Sequence, residues 1–293
     1  MMVTATNVRL WMLAAVTLVT VLLWLPLSPL AAGVAKSDIE LIVAFLDVGQ
    51  GDGIFIQTPD GVQVLIDGGP DGSVLRSLGE VLPWGDRSLD LVVGTHPDKD
   101  HVAGLVDVLE RFSVTQILRT ENVSDTAASK AFDRAVADEG AEVAYARAGQ
   151  VWRLGSDVTL TVLSPVGNPE AWESNASSIV ALVRYGDIEF LLTGDAPAGT
   201  ETFLVERHGS ALQAEVLKLG HHGSRTSSDA VFLGVVQPQY AVVSAGKDND
   251  YGHPHAEVVE RVAQAGVRLV STAEEGIVMF ASDGKTVRLF RKE

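Results

Sequence analysis

The 293-residue chain contains no cysteine. Disulfides and thiolate ligands are therefore excluded, and any bound metal has to be held by imidazole nitrogen and oxygen. Basic residues are scarce as well, with 22 Lys and Arg against 38 Asp and Glu and a formal net charge of −16. Nucleic-acid affinity ordinarily rests on Lys and Arg neutralising phosphates. A phosphate-handling site in this chain thus needs metal ions or a local basic group, and the acidity otherwise serves solubility and low non-specific binding. Internal repeats and low-complexity linkers are lacking too, which predicts a single domain over residues 36–293.

Charge is missing altogether between Arg9 and Lys36. The stretch predicts one N-terminal apolar helix, a signal peptide or a single membrane anchor over residues 1–35. The run from Leu10 to Leu25 is short for a span, and Gly33-Val34-Ala35 has the small residues of a cleavage site, whereas continuation to Ala32 reaches spanning length. If uncleaved, residues 10–32 contact the membrane. Arg9 is the only charge ahead of Lys36, so the positive-inside rule leaves the bulk of the chain extracytoplasmic.

What is present from Ile39 onward is an alternation of strand and helix patterns. "ELIVAFLDV" (40–48), "GIFIQT" (53–58), "VQVLIDG" (62–68) and "LDLVVGT" (89–95) read as strands, with helices near 73–82, 102–112 and 129–140. A strand-rich section spans 151–194, followed by strands at 214–220 and 239–246, a helix near 256–265 and two more strands. The pattern predicts an α/β domain with two sheets and helices outside them.

Six of the seven histidines fall in three short stretches: His96 and His101, His221 and His222, and His253 and His255. Each stretch follows a predicted strand, where loop side chains can converge. In "HPDKDH" (96–101), residues two apart in an extended segment share a side, so His96 and Asp98 can hold one ion while Asp100 and His101 turn to a neighbouring one. Paired ions about 3.5–4 Å apart need a bridging carboxylate, and Asp195 in "LLTGDA" is placed to supply it. His221 is expected as a further ligand, with His222 as the alternative. His222 or His253 is expected to protonate the leaving oxygen or hold phosphate, and Asp100 is expected to be essential for turnover. The bland alternatives are that Asp100 caps a helix starting at Val102, and that Asp52 and Asp67 serve only their turns. In the functional reading Asp52 and Asp67 orient a ligand histidine from behind. Lys99, Lys218, Arg225 and Lys247 are candidates for positive charge beside the site, although ordinary surface placement is the expectation for each taken alone.

Taken in order, "DVGQGD" (47–52), "LIDGG" (65–69), "THPDKDH" (95–101), "FLLTGD" (190–195), "LKLGHHGS" (217–224) and "YGHPH" (251–255) resemble the motif series of metallo-β-lactamase-fold hydrolases. Within that group they are most similar to the carboxy-terminal domain of ComEC-type DNA-internalisation proteins. The resemblance spans about residues 40–290 and implies a four-layer αββα metallo-β-lactamase-like sandwich with two metal ions at one edge. Two departures stand out. Asp98 occupies a place where the wider superfamily has histidine, and no histidine lies between His101 and His208, so the superfamily's middle His ligand is missing; Asn175 falls near that place. An oxygen-rich shell favours Mn, with Zn or Mg as alternatives. The expected activity is phosphodiester hydrolysis, with single-stranded DNA as one candidate substrate. A small ester, lactone or lactam is the second reading, and an anchored binding protein with a structural metal the third. No protein partner is inferable.

Overall fold

The structure is a computed structural model that describes residues 40–290. The apolar helix expected at the amino terminus lies outside these residues. Among the described residues, no helix is long and apolar enough to cross a membrane.

The first sheet contains β1 (Leu41–Phe45), β2 (Ile54–Gln57), β3 (Gln63–Ile66), β4 (Ser88–Gly94), β5 (Ser113–Arg119) and β6 (Glu142–Tyr145). The second contains β7 (Val151–Leu154), β8 (Val158–Ser164), β9 (Val180–Tyr185), β10 (Ile188–Leu192), β11 (Val216–Lys218), β12 (Tyr240–Val243) and β13 (Arg268–Ser271). The chain then returns to the first sheet as β14 (Val278–Ser282) and β15 (Val287–Phe290), giving the orders β15-β14-β1-β2-β3-β4-β5-β6 and β13-β12-β11-β10-β9-β8-β7.

Both faces of each sheet are buried, which explains the near-continuous apolar runs. In β4, Leu91 and Val93 join the core between the sheets, whereas Leu89 and Val92 join the core under the helices. Phe280 anchors the central layer, meeting Phe45 and Phe190 edge-on with ring centroids 6.0 and 6.2 Å away. Helices α1 (Ser73–Val81), α2 (Lys99–Leu109) and α3 (Ala127–Glu139) contribute Leu78, Leu105 and Phe132 to the core outside the first sheet. Helices α4 (Ala198–His208), α5 (Ala230–Val236) and α6 (Ala256–Gln264) contribute Leu204, Phe232 and Val262 outside the second. The result is an αββα sandwich of mixed sheets, the layer order expected above.

Of the elements named here, β6, β15, α4 and α5 escaped the sequence reading. The side chains of β6 are mostly exposed and carry no alternation, and α4 buries only Glu201 and Leu204. Helix α2 starts at Lys99, three residues earlier than expected, so Asp100 does not cap it; Asp98 occupies the cap position.

Strands β3, β4, β5 and β6 run parallel, as do β10, β11, β12 and β13. Loops at the carboxyl ends of such strands are where side chains of different elements can meet. Two glycines make the meeting close. A Cβ on Gly104 would lie 1.9 Å from the Gly68 carbonyl oxygen, and one on Gly51 would lie 2.1 Å from that of Asp100. Both contacts seat the first half of α2 on neighbouring turns, and the Gly68 N–H donates to the His101 carbonyl at 2.7 Å.

Candidate metal centre

His96 follows β4, and Asp98, Asp100 and His101 lie at the start of α2. Asp98 holds the cap position but its carboxylate makes no capping bond. It accepts instead from Ser174 Oγ at 2.6 Å and stands 3.7 Å from His96 Nε2. The helix forgoes a bond worth about 1 kcal/mol, and the side chain is free for other work. Asp195 follows β10, and His221 and His222 follow β11. Both histidines have left-handed backbones, with φ of 49° and 55°. Such conformations cost about 1–3 kcal/mol for a non-glycine residue and cluster at functional sites.

The donors converge on one atom. Asp195 Oδ2 lies 3.3 Å from His101 Nε2, 3.4 Å from His222 Nε2, and 3.9 Å from both His96 Nε2 and His221 Nε2. Asp100 Oδ2 lies 3.3 Å from His222 Nε2. With metal–ligand bonds of about 2.0–2.2 Å, two donors on one ion stand at most about 4.4 Å apart, so these spacings suit a shared cation. The fit has a second support: Nε2 of His96, His101 and His222 is buried without a hydrogen-bond partner. Buried imidazole nitrogens are rarely left so, and bound divalent cations would satisfy them.

The opposite ring edges set the tautomers. His222 Nδ1–H donates to the Ser244 carbonyl at 2.9 Å. His101 Nδ1–H donates to Asp67 Oδ2 at 2.7 Å. Thr95 Oγ1 gives its own proton to Asp67 Oδ2 at 2.7 Å and can accept from His96 Nδ1 at 3.0 Å. Each bond leaves a lone pair on Nε2, facing Asp195. Asp67 therefore does more than complete its turn. Replacing it with asparagine is expected to lower Mn²⁺ affinity about 10–100-fold, read by calorimetric titration; unchanged affinity in a folded variant would contradict this role.

Charges are strongly coupled here. Burial alone would raise the Asp195 carboxyl, but His222, His101 and Lys218 outweigh it and hold the group well below its usual range. Burial opposes charge on His101 and His222 too, yet the Asp195 carboxylate keeps both well above the ordinary imidazole value. Burial, with His101 beside it, pulls His96 down to about 3. A cation competes with protons for these Nε2 atoms, so its binding is linked to pH.

Asp52, His101, Asp195 and His222 form a fully buried group whose donors lie within 4.8 Å of one another. Asp52 nonetheless faces the rear of the rings, 3.4 Å from His222 Nδ1 and 3.9 Å from His101 Nδ1. Asn175 lies behind His221, with Nδ2 3.5 Å from Nδ1. His253 stands at the rim, its ring centroid 5.5 Å from that of His221 and 6.2 Å from that of His222, with exposed Tyr251 stacked on its outer side at 5.7 Å. The structure thus brings Asp52, Asp67, His96, Asp98, Asp100, His101, Asn175, Asp195, His221, His222 and His253 to one edge.

The surface placement expected for Lys99, Arg225 and Lys247 holds. Lys218 instead matches the other reading, positive charge beside the site: its side chain is completely buried against Asp52 and Asp195. Alternation along a three-residue strand carries no sign of which face meets the site. Glu201 was missed. Its buried carboxylate accepts from the N–H groups of Ser228 and Asp229 at 2.6 and 3.0 Å, pinning the loop after the paired histidines, and burial pushes its pKa up to about 7.

Comparison with known proteins fits this geometry. ComE operon protein 3 of Bacillus subtilis is 30% identical over 255 residues, covering 81% of this chain and 32% of that protein. Competence protein ComA of Neisseria gonorrhoeae is 33% identical over 250 residues, covering 84% and 33%. The chain thus spans about a third of the length of these relatives. Among solved structures, the metallo-beta-lactamase fold protein YhfI from Bacillus subtilis superposes with a TM-score of 0.53 at 13% identity, covering 78% of this chain and 95% of that one. Zn²⁺-bound PqqB from Methylobacterium extorquens does so at 0.53 and 16%, covering 76% and 85%. At such identities the likeness is one of fold. The sequence profile of the Metallo-beta-lactamase superfamily matches residues 46–247, and these bounds enclose every ligand candidate from His96 to His222. With its buried aspartates and histidines gathered in that scaffold, the chain belongs to the metallo-beta-lactamase superfamily as a metal-dependent hydrolase.

Proposed function

We propose that the chain is an extracytoplasmic phosphodiesterase, a nuclease related to the carboxy-terminal domain of ComEC-type proteins, working with two divalent cations of which Mn is favoured over Zn and Mg. The observation that carries this reading is the convergence on Asp195 Oδ2. His96, Asp98 and His221 would hold one ion and Asp100, His101 and His222 the other, with Asp195 within reach of both sets. His221 thereby fills the place of the missing middle histidine. Each set is half nitrogen and half oxygen, a mixture that suits Mn better than an all-imidazole shell would.

Bound cations supply positive charge to the phosphoryl oxygens and acidify a water for attack on phosphorus. The chain's own residues do the rest. Asp67 and Asp52 hold the ligand rings from behind. Asp100, partly exposed at the start of α2 and 3.3 Å from His222 Nε2, would help hold an ion on the side open to solvent. Burial, with His222 and His221 alongside, holds His253 at about 4, so it meets substrate as a neutral imidazole and donates a hydrogen bond to a phosphoryl or leaving oxygen.

Relatives named for competence and recombination support a nucleic-acid substrate, and single-stranded DNA is the form we favour. The net charge of −16 favours the alternative of a small ester, lactone or lactam, because a neutral substrate suffers no repulsion. If residues 10–32 are retained, they tether the hydrolase to a membrane. The deciding experiment is hydrolysis of single-stranded DNA and of bis(p-nitrophenyl) phosphate by the full chain with Mn²⁺, Zn²⁺ or Mg²⁺, beside Asp100→Ala. Metal-dependent cleavage that the variant loses supports the proposal. Silence on both substrates with ions bound, together with lactone turnover, would transfer the assignment to acyl chemistry.

A further inference from the structure

Lys218 closes β11 with no solvent exposure. A buried ammonium is tolerated when it is paired and all three hydrogens find acceptors. Nζ has three: Asp52 Oδ2 at 2.5 Å, the Gly194 carbonyl oxygen at 2.7 Å and Asp195 Oδ1 at 3.4 Å. The two oxygens of Asp195 are therefore divided, Oδ1 towards Lys218 and Oδ2 towards the four histidines. A carboxylate with both oxygens free can chelate one cation through both. Asp52 is held in the same way, behind His101 and His222 and away from their Nε2 atoms.

We infer that Lys218 is a positioning residue for the metal centre, withholding Asp195 Oδ1 and Asp52 from the ions so that Asp195 offers one oxygen to both. The charges agree. Asp52, Asp67, Asp98, Asp100 and Asp195 bring five negative charges to the centre, Lys218 offsets one, and two dications match the remaining four. This rests on the paired-ion reading proposed above, and the test separates the two.

Lys218→Met keeps the apolar stem and deletes the ammonium. The readouts are Mn²⁺ bound per chain by equilibrium dialysis and the exchange-coupled paramagnetic resonance signal of paired Mn²⁺, with circular dichroism as the check on folding. The wild type is expected to bind two coupled ions. In the variant the coupled signal should disappear and the weaker ion should lose about tenfold or more in affinity, as for other orienting partners. The double variant Lys218→Met, Asp52→Asn removes the unpaired buried carboxylate, so it decides the matter if the single variant does not fold. It should also lack coupling, because Asp195 Oδ1 is still released. Two coupled ions at unchanged affinity in the single variant, or a coupled signal in the double, would overturn the inference. A wild type that binds one ion would remove the paired-ion reading and this inference together.

Discussion

Asp195→Asn is expected to abolish metal-dependent turnover and to break the pairing of the ions while the sandwich stays folded. Four histidine Nε2 atoms lie within 3.9 Å of one oxygen of this carboxylate, and among the described residues no other acidic side chain is paired with all four. A neutral amide oxygen in its place neither holds two dications together nor balances their charge. If the centre contributes several kcal/mol of charge stabilisation to the transition state, the loss is about 10³-fold or more in rate, at about 1.36 kcal/mol per factor of ten. Steady-state rates with elemental analysis of bound Mn²⁺ provide the check, and near-normal turnover with two ions retained would refute the role. The amide is nearly the same size as the carboxylate, so core packing is undisturbed.

The paired histidines should separate into two roles. His222→Ala is expected to leave about one ion per chain and to weaken the other site by more than the about 100-fold that loss of an orienting partner can cost. Its Nε2 is buried, lacks any other partner, and lies within 3.4 Å of both Asp100 and Asp195. His221→Ala removes a partly exposed ring at a longer 3.9 Å, and should release the ion of His96 and Asp98 while that of Asp100, His101 and His222 stays. Metal content by dialysis, followed for both variants, distinguishes the outcomes. If His221→Ala retains both ions, its ring serves substrate, and the place of the missing middle histidine is filled by something else.

Much of the centre was readable before any fold was in hand, because its ligands come in short runs. His96, Asp98, Asp100 and His101 lie within six consecutive residues, and the histidine clustering survives whatever the chain does elsewhere. Orientation was less accessible. His221 and His222 are neighbours with the same side chain, and it takes two consecutive left-handed residues to aim both rings at Asp195. The role of Asp67 stayed evenly balanced with turn chemistry until the 2.7 Å contact to His101 Nδ1 could be seen.

Other features are legible only after folding. Helix α4 carries too little apolar periodicity to announce itself, and its buried Glu201 becomes meaningful only beside the loop after the paired histidines. A lysine in a strand reads as exposed because burying an ammonium is costly, a penalty that Asp52, 166 residues earlier in the chain, removes. Local sequence carried the metal chemistry, since cysteine is absent and each ligand sits in a short loop motif after a strand. Tertiary packing decided which nitrogen of each ring faces Asp195, which histidine of the pair is buried, and that one lysine is enclosed among carboxylates. Asp67 reaches His101 from 34 residues away, the Ser244 carbonyl reaches His222 from 22 and Asp52 reaches Lys218 from 166, and no local pattern encodes such contacts.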